Sequence, residues 1–155
     1  MRNYYTANIY LDDRKNILII PYAKNEHGIR MSVNHPQKLV WQNDNFSELG
    51  EKTLEVLNVS TTHPPIKKAE AVRVYAEATG IKSWVQFAKK HQLVSIARDE
   101  DIKIYEFEFR QRQKDNSFGN DKGDIVPIRK LPLTVTTEEI GRAVIEVFTE
   151  AGVLE

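Results

Sequence analysis

The sequence predicts an α+β fold, a mostly antiparallel β-sheet carrying three to four helices, and three observations predict it. The stretch from Thr136 to Phe148 has a near copy earlier in the chain, from Asn45 to Leu57, so two helices share one plan. Short apolar runs bounded by polar turns precede each copy, as strands joined by tight connections do. A pair of equivalent helices, each led by such runs, is expected to lie against one sheet. The length, 155 residues, fits a single domain spanning residues 1–155 that buries on the order of 70% of the surface of its unfolded chain.

Setting Asn45 against Thr136 aligns Glu48 with Glu139, Leu49 with Ile140, Gly50 with Gly141, Leu54 with Ile145, Glu55 with Glu146, Val56 with Val147 and Leu57 with Phe148. Each copy opens on a capping side chain followed three residues later by a glutamate, which predicts a capping box twice. Leu49, Thr53, Val56 and Leu57, and likewise Ile140, Val144, Val147 and Phe148, recur at i, i+4, i+7 and i+8. That spacing makes one buried stripe per helix, with Thr53 its only polar member. Gly50 and Gly141 sit inside helices, where glycine costs up to about 1 kcal/mol against alanine. A closely approaching backbone or side chain is the expected reason.

Taken in order, Ala7–Leu11 and Asn16–Tyr22 predict two strands around the turn Asp12-Asp13-Arg14-Lys15. Ile17 to Ile20 is apolar on both faces, so the second strand is expected to be central, with Pro21 marking an edge or a bulge. Ile29–Val33 and Lys38–Trp41 predict short strands before the first helix, and Asn58–Pro65 a polar connector after it. Ile66–Thr79 is ambiguous: Lys67 to Ala71 favours helix, and Val72-Arg73-Val74-Tyr75 alternates like a strand. Helix is preferred, stopped by Gly80. Ser83 predicts a capped helix running to about His91.

A hairpin is predicted next, with strands Leu93–Ala97 and Ile102–Phe109 around the turn Arg98-Asp99-Glu100-Asp101. Ile102 and Ile104 fall on one face and Tyr105, Phe107 and Phe109 on the other. This phase shift implies a bulge near Ile104 or a strand buried on both faces at its start, and hints at an irregular edge. Arg110–Asp124 lacks periodicity and is expected to be a mobile loop. Ile125–Ile128 and Leu131–Val135 predict short strands leading into the last helix, which Gly152 closes.

The residues offer little chemistry. The 22 basic residues balance the 22 acidic ones, which does not point to a nucleic-acid partner, and the chain has no cysteine for a disulfide, a thiolate metal site or a thiol nucleophile. No apolar run approaches the roughly 20 residues needed to span a bilayer, and the N-terminus lacks the apolar core of a signal peptide, so the cytoplasm is the expected location. His27, His35, His63 and His91 lie in separate segments without ligand spacing, so no metal and no cofactor is expected. Gly119 and Gly123 lack the helix that a phosphate loop requires. Glu106 and Glu108, two apart on one strand face, could serve a hydrolase as paired acids, though two solvent-facing carboxylates on an edge strand are far commoner. Together with Asp99, Glu100 and Asp101 they place acid along one hairpin, a pattern more natural in a protein that binds another protein.

The order Ser47-Glu48-Leu49-Gly50, then Lys82-Ser83-Trp84-Val85-Gln86-Phe87 followed by strand, hairpin and loop, then Glu139-Ile140-Gly141 in a closing helix, resembles the CdiI family. These are immunity proteins of bacterial contact-dependent growth inhibition. The resemblance spans the chain from about Asn45 onward and rests on short motifs. It implies a small cytosolic protein without catalytic residues that blocks the C-terminal toxin domain, often a nuclease, of a cognate CdiA effector. Strand addition to the immunity protein's sheet is a binding mode it suggests. A basic nuclease surface would meet acids with a gain mainly in association rate, which makes Asp99, Glu100, Asp101, Glu106 and Glu108 the expected toxin-binding residues.

Overall fold

The computed structural model describes residues 4–66 and 73–155. Strands β1 (Tyr4–Asp12) and β2 (Asn16–Lys24) form the first hairpin. Asp12 Oδ1 closes its turn by accepting from the amides of Arg14 and Asn16 at 2.9 and 2.8 Å. Two short strands then share the outer side of β2: β3 (Arg30–Ser32) pairs Tyr22–Lys24 and β4 (Gln37–Val40) pairs Asn16–Ile19. Pro21 lies in the gap between them. Its carbonyl points to that outer side and accepts from the Val33 amide at 2.8 Å, so the N–H that proline lacks falls where no ladder bond is made.

Helix α1 (Phe46–Thr62) follows, then α2 (Val74–Thr79), α3 (Trp84–Lys90), β5 (His91–Asp99), β6 (Ile104–Arg110), β7 (Ile128–Pro132) and α4 (Thr137–Glu150). The strands make one seven-stranded sheet in the order β3-β2-β1-β5-β6-β7, with β4 also on β2 and every strand pairing antiparallel. The α+β architecture read from the sequence is the observed one. β2 is an interior strand, as its two-sided apolar run requires.

Helices α1 and α4 pack together on one sheet face. Leu49, Thr53, Val56 and Leu57 from α1 and Ile140, Val144, Val147 and Phe148 from α4 are all fully buried, against Ile9, Ile19, Val94, Ile96 and Phe107 of the strands. Thr53 is tolerated there because its hydroxyl donates to the Leu49 carbonyl at 2.7 Å. The two glycines explain themselves reciprocally. A Cβ on Gly50 would lie 1.8 Å from the Thr137 carbonyl oxygen, and one on Gly141 would lie 2.0 Å from that of Phe46. Phe46 and Thr137 are equivalent in the repeat, so the helices cross near their N-terminal turns about a local pseudo-two-fold, backbone against backbone.

Several expectations are corrected. The capping box forms at Thr136 but not at Asn45. Asn45 instead reaches backward: its Oδ1 accepts from the Gln42 amide and its Nδ2 donates to the Val40 carbonyl, tying the helix start to the end of β4. The polar connector begins later than expected because α1 continues to Thr62. Thr61 and Thr62 bond back to the Asn58 carbonyl, Ser60 donates to the Tyr22 carbonyl, and the helix ends only at His63-Pro64. Within the ambiguous Ile66–Thr79, Val74–Thr79 is helix, capped by left-handed Gly80 at φ 77°, and residues 67–72 lie outside the described residues.

The β5–β6 hairpin has a continuous register from Leu93↔Arg110 to Asp99↔Ile104, with no bulge. The phase shift has a simpler cause: Arg98 and Asp99 belong to β5, and Ile102 belongs to the turn, where it is 56% exposed and followed by Lys103 at φ 58°. β6 is also no edge, since β7 pairs its outer side. No strand forms over Ile125–Pro127. Ile125 is fully exposed, and β7 takes Ile128–Pro132 in place of Leu131–Val135. Arg110–Asp124, expected to be loose, folds back as a small hairpin with an Arg112↔Phe118 bridge. It is tied to α3, since Trp84 Nε1 donates to the Asn116 carbonyl at 2.9 Å and Arg112 Nη1 to that of Ala88 at 2.6 Å.

Candidate functional site

The second sheet face is covered over only part of its area. Tyr10, Leu18, Ile20 and Leu93 point to it and are roofed by Val74, Phe87, Trp84 and Phe118 from α2, α3 and the small hairpin. Phe87 is the hub, with its ring 5.0 Å from Tyr10, 5.4 Å from Trp84 and 4.0 Å from the His91 imidazole. His91 Nδ1 lies 2.7 Å from the Phe87 carbonyl, and burial lowers its pKa below the ordinary histidine value. Beyond this roof no described residue covers the sheet.

The bare part is a trough of about 460 Å³. Its shape follows from strand register. Across the sheet, one row runs Tyr22, Thr6, Ala97, Glu106, Lys130, and the next runs Ile20, Asn8, Ser95, Glu108, Ile128. The two central strands thus contribute small side chains, Thr6, Asn8, Ser95 and Ala97, between taller ones on β2 and β6. Three strand spacings separate β2 from β6, about 14 Å. Asn8 Nδ2 donates to the hydroxyls of Tyr10 and Tyr22 at 3.1 and 3.2 Å, and burial pushes both phenols above their ordinary pKa. Arg30 forms a wall, its guanidinium 4.2 Å from the Tyr4 ring centroid and donating to the Tyr4 carbonyl.

The five acids expected from the sequence are divided by this geometry. Asp99, Glu106 and Glu108 line the trough, whereas Glu100 and Asp101 sit in the turn at its end. Asp99 is buried and its Oδ1 accepts from the amides of Asp101 and Ile102, so it holds the turn. Glu100 is pinned by Arg98 at 2.7 Å and Lys103 at 3.5 Å. Glu108 accepts from Asn120 Nδ2 at 2.7 Å and lies 3.9 Å from Arg110, which in turn donates to Ser95. The side chain of half-buried Glu106 forms no hydrogen bond or ion pair with any described residue. Sequence reasoning missed Tyr4, Tyr22, Arg30 and Arg110 as neighbours of these acids, because their proximity depends on strand order.

A larger hollow of about 800 Å³ runs between β2, β4 and α2, but its Asp12 is occupied by the turn it caps. Among the described residues no group of three or more possible ligands could hold a metal ion, and no helix is long and apolar enough to cross a membrane.

No family model matches the chain, and no curated protein matches it in sequence. Solved structures do resemble it. A protein of unknown function from Neisseria meningitidis superposes with a TM-score of 0.69 at 16% identity, over 96% of each chain. A chain of the CdiA-CT/CdiI toxin and immunity complex from Yersinia pseudotuberculosis superposes with a TM-score of 0.68 at 12% identity, over 96% of this chain and 98% of that one. At such identities the likeness is one of fold.

Proposed function

We propose that the chain is an immunity protein that binds and neutralises the C-terminal toxin domain, a nuclease, of a cognate CdiA effector in the bacterial cytoplasm. The observation that carries this reading is the near end-to-end likeness of fold to a chain of a toxin and immunity complex. The acidic β5–β6 hairpin supports it, because acids placed where a basic, nucleic-acid-binding surface docks speed encounter. The protein acts by covering the toxin and performs no catalysis of its own.

The test is co-expression with the product of the gene immediately upstream, which this reading expects to be an effector ending in a toxin domain. Protection of the cell and a stable complex on size exclusion support the reading, and a toxin that kills regardless, with no complex formed, overturns it. Charge steering is tested by neutralising Glu100, Asp101, Glu106 and Glu108 together, leaving Asp99 to hold its turn. Association is expected to slow at low salt and to depend less steeply on salt. Replacing Glu106 and Glu108 alone by alanine separates the hydrolase reading of that pair. Protection that depended on hydrolysis would vanish completely, whereas a binding role predicts protection weakened in step with affinity.

A further inference from the structure

We infer that the trough on the bare sheet face is the docking groove, and that it takes an extended segment of the toxin domain which sets an arginine or lysine side chain against Glu106. This rests on the immunity reading and specifies its contact. Among the described residues, the charges that line the trough are three carboxylates, Asp99, Glu106 and Glu108, against two guanidinium groups, Arg30 and Arg110. The excess is one negative charge. The internal contacts identify its owner: Asp99 is held by turn amides, Glu108 by Asn120 beside Arg110, Arg110 by Ser95, and Arg30 by Tyr4. Glu106 remains without a partner among the described residues, and Lys130, its neighbour across β7, does not close on it. A half-buried carboxylate in a groove is where a partner's cation gains most, because the pair is screened less than on open surface.

The floor favours a chain segment over a bulky domain face. Thr6 pairs Ala97 and Asn8 pairs Ser95, giving a two-by-two patch of short side chains along the strands. A partner backbone can approach this patch closely, with Tyr4 and Tyr22 lining its side. A carboxylate of this kind suits arginine, whose planar guanidinium can bond both of its oxygens at once. Such docking uses the sheet's face through side chains. It differs from strand addition, which would need a free edge that β6 does not have.

The experiment measures binding of the upstream effector's toxin domain to the wild-type chain and to Glu106→Gln, Glu106→Lys and, as a control on the opposite side of the molecule, exposed Glu55→Gln. Glu106→Gln is expected to weaken binding at least tenfold, chiefly through faster dissociation. Glu106→Lys weakens it further, and Glu55→Gln changes it less than twofold. Melting temperatures equal to wild type establish that the variants fold. Zero-length carbodiimide coupling, followed by peptide mapping, is expected to join Glu106 to a toxin lysine, or an Arg→Lys toxin variant to supply one. If the wild-type chain does not bind the toxin, the immunity reading fails. If the wild-type chain binds and Glu106→Gln and Glu106→Lys bind equally well, the immunity reading stands and this groove assignment is wrong.

Discussion

The two faces of the sheet are built for different ends. On one, α1 and α4 bury Ile9, Ile19, Val94, Ile96 and Phe107 completely, and even the helix backbones touch through Gly50 and Gly141. On the other, an aromatic roof centred on Phe87 covers only part of the strands and leaves Thr6, Asn8, Ser95 and Ala97 as the floor of an open trough. Folding alone would gain from extending the roof with apolar residues over the bare part. Small polar residues there, beside a carboxylate with no partner among the described residues, are the grounds on which this face is proposed to dock a partner.

The comparison breaks most sharply at the glycines. Gly50→Ala or Gly141→Ala sets a methyl group against a backbone carbonyl that cannot rotate away. Each is expected to cost about 4 kcal/mol or more, above the usual 1–3 for overpacking, as measured by urea unfolding. Leu57→Ala, a cavity in the same face, is expected to cost about 3 kcal/mol by the same assay. Unchanged midpoints for either would mean that the helices do not pack as described. Thr136→Ala removes the capping box that forms and is expected to cost about 1 kcal/mol, with most of it recovered in Thr136→Ser.

The roofed part of the second face contributes a pH dependence. Burial among Phe87 and Tyr10 lowers the His91 pKa, so the fold favours neutral imidazole. The unfolded chain then binds the proton more readily, and the His91 contribution is fully present above its unfolded pKa of about 6.5. It is lost progressively as pH falls from there toward the lower folded value. His91→Gln is expected to flatten the stability profile in that window, read by chemical denaturation at a series of pH values. The smallest effect is expected on the trough floor, where Thr6→Ala shifts stability by no more than about 0.5 kcal/mol.

The face that folds the protein is legible in the sequence and the face proposed to dock is not, for a physical reason. Helical stripes and their glycines are local patterns with a fixed period, so Leu49 to Leu57 and Ile140 to Phe148 declare a buried side by themselves. Even there, the pattern misleads at Asn45, where the bond that its Oδ1 accepts from the Gln42 amide takes the place of the cap. Strand order carries no such local signature. That β7 flanks β6, so that the Glu106 and Glu108 strand is interior, depends on pairing across the residues 111–127. The segment Arg110–Asp124 reads as loose because its order comes from partners such as Trp84, 32 residues from Asn116. Composition along one hairpin finds the acids, but which of them is spoken for is visible only once Asn120, Arg98 and the turn amides are in place.

Hydrogen exchange of the chain, alone and bound to the toxin domain encoded upstream, tests the division between the two faces most directly. The account predicts that binding slows exchange in peptides covering Tyr4–Asn8, Ser95–Asp99 and Ile104–Arg110, while peptides from α1 and α4 exchange as before. Protection confined to α1 and α4, with the trough strands unchanged, would contradict it.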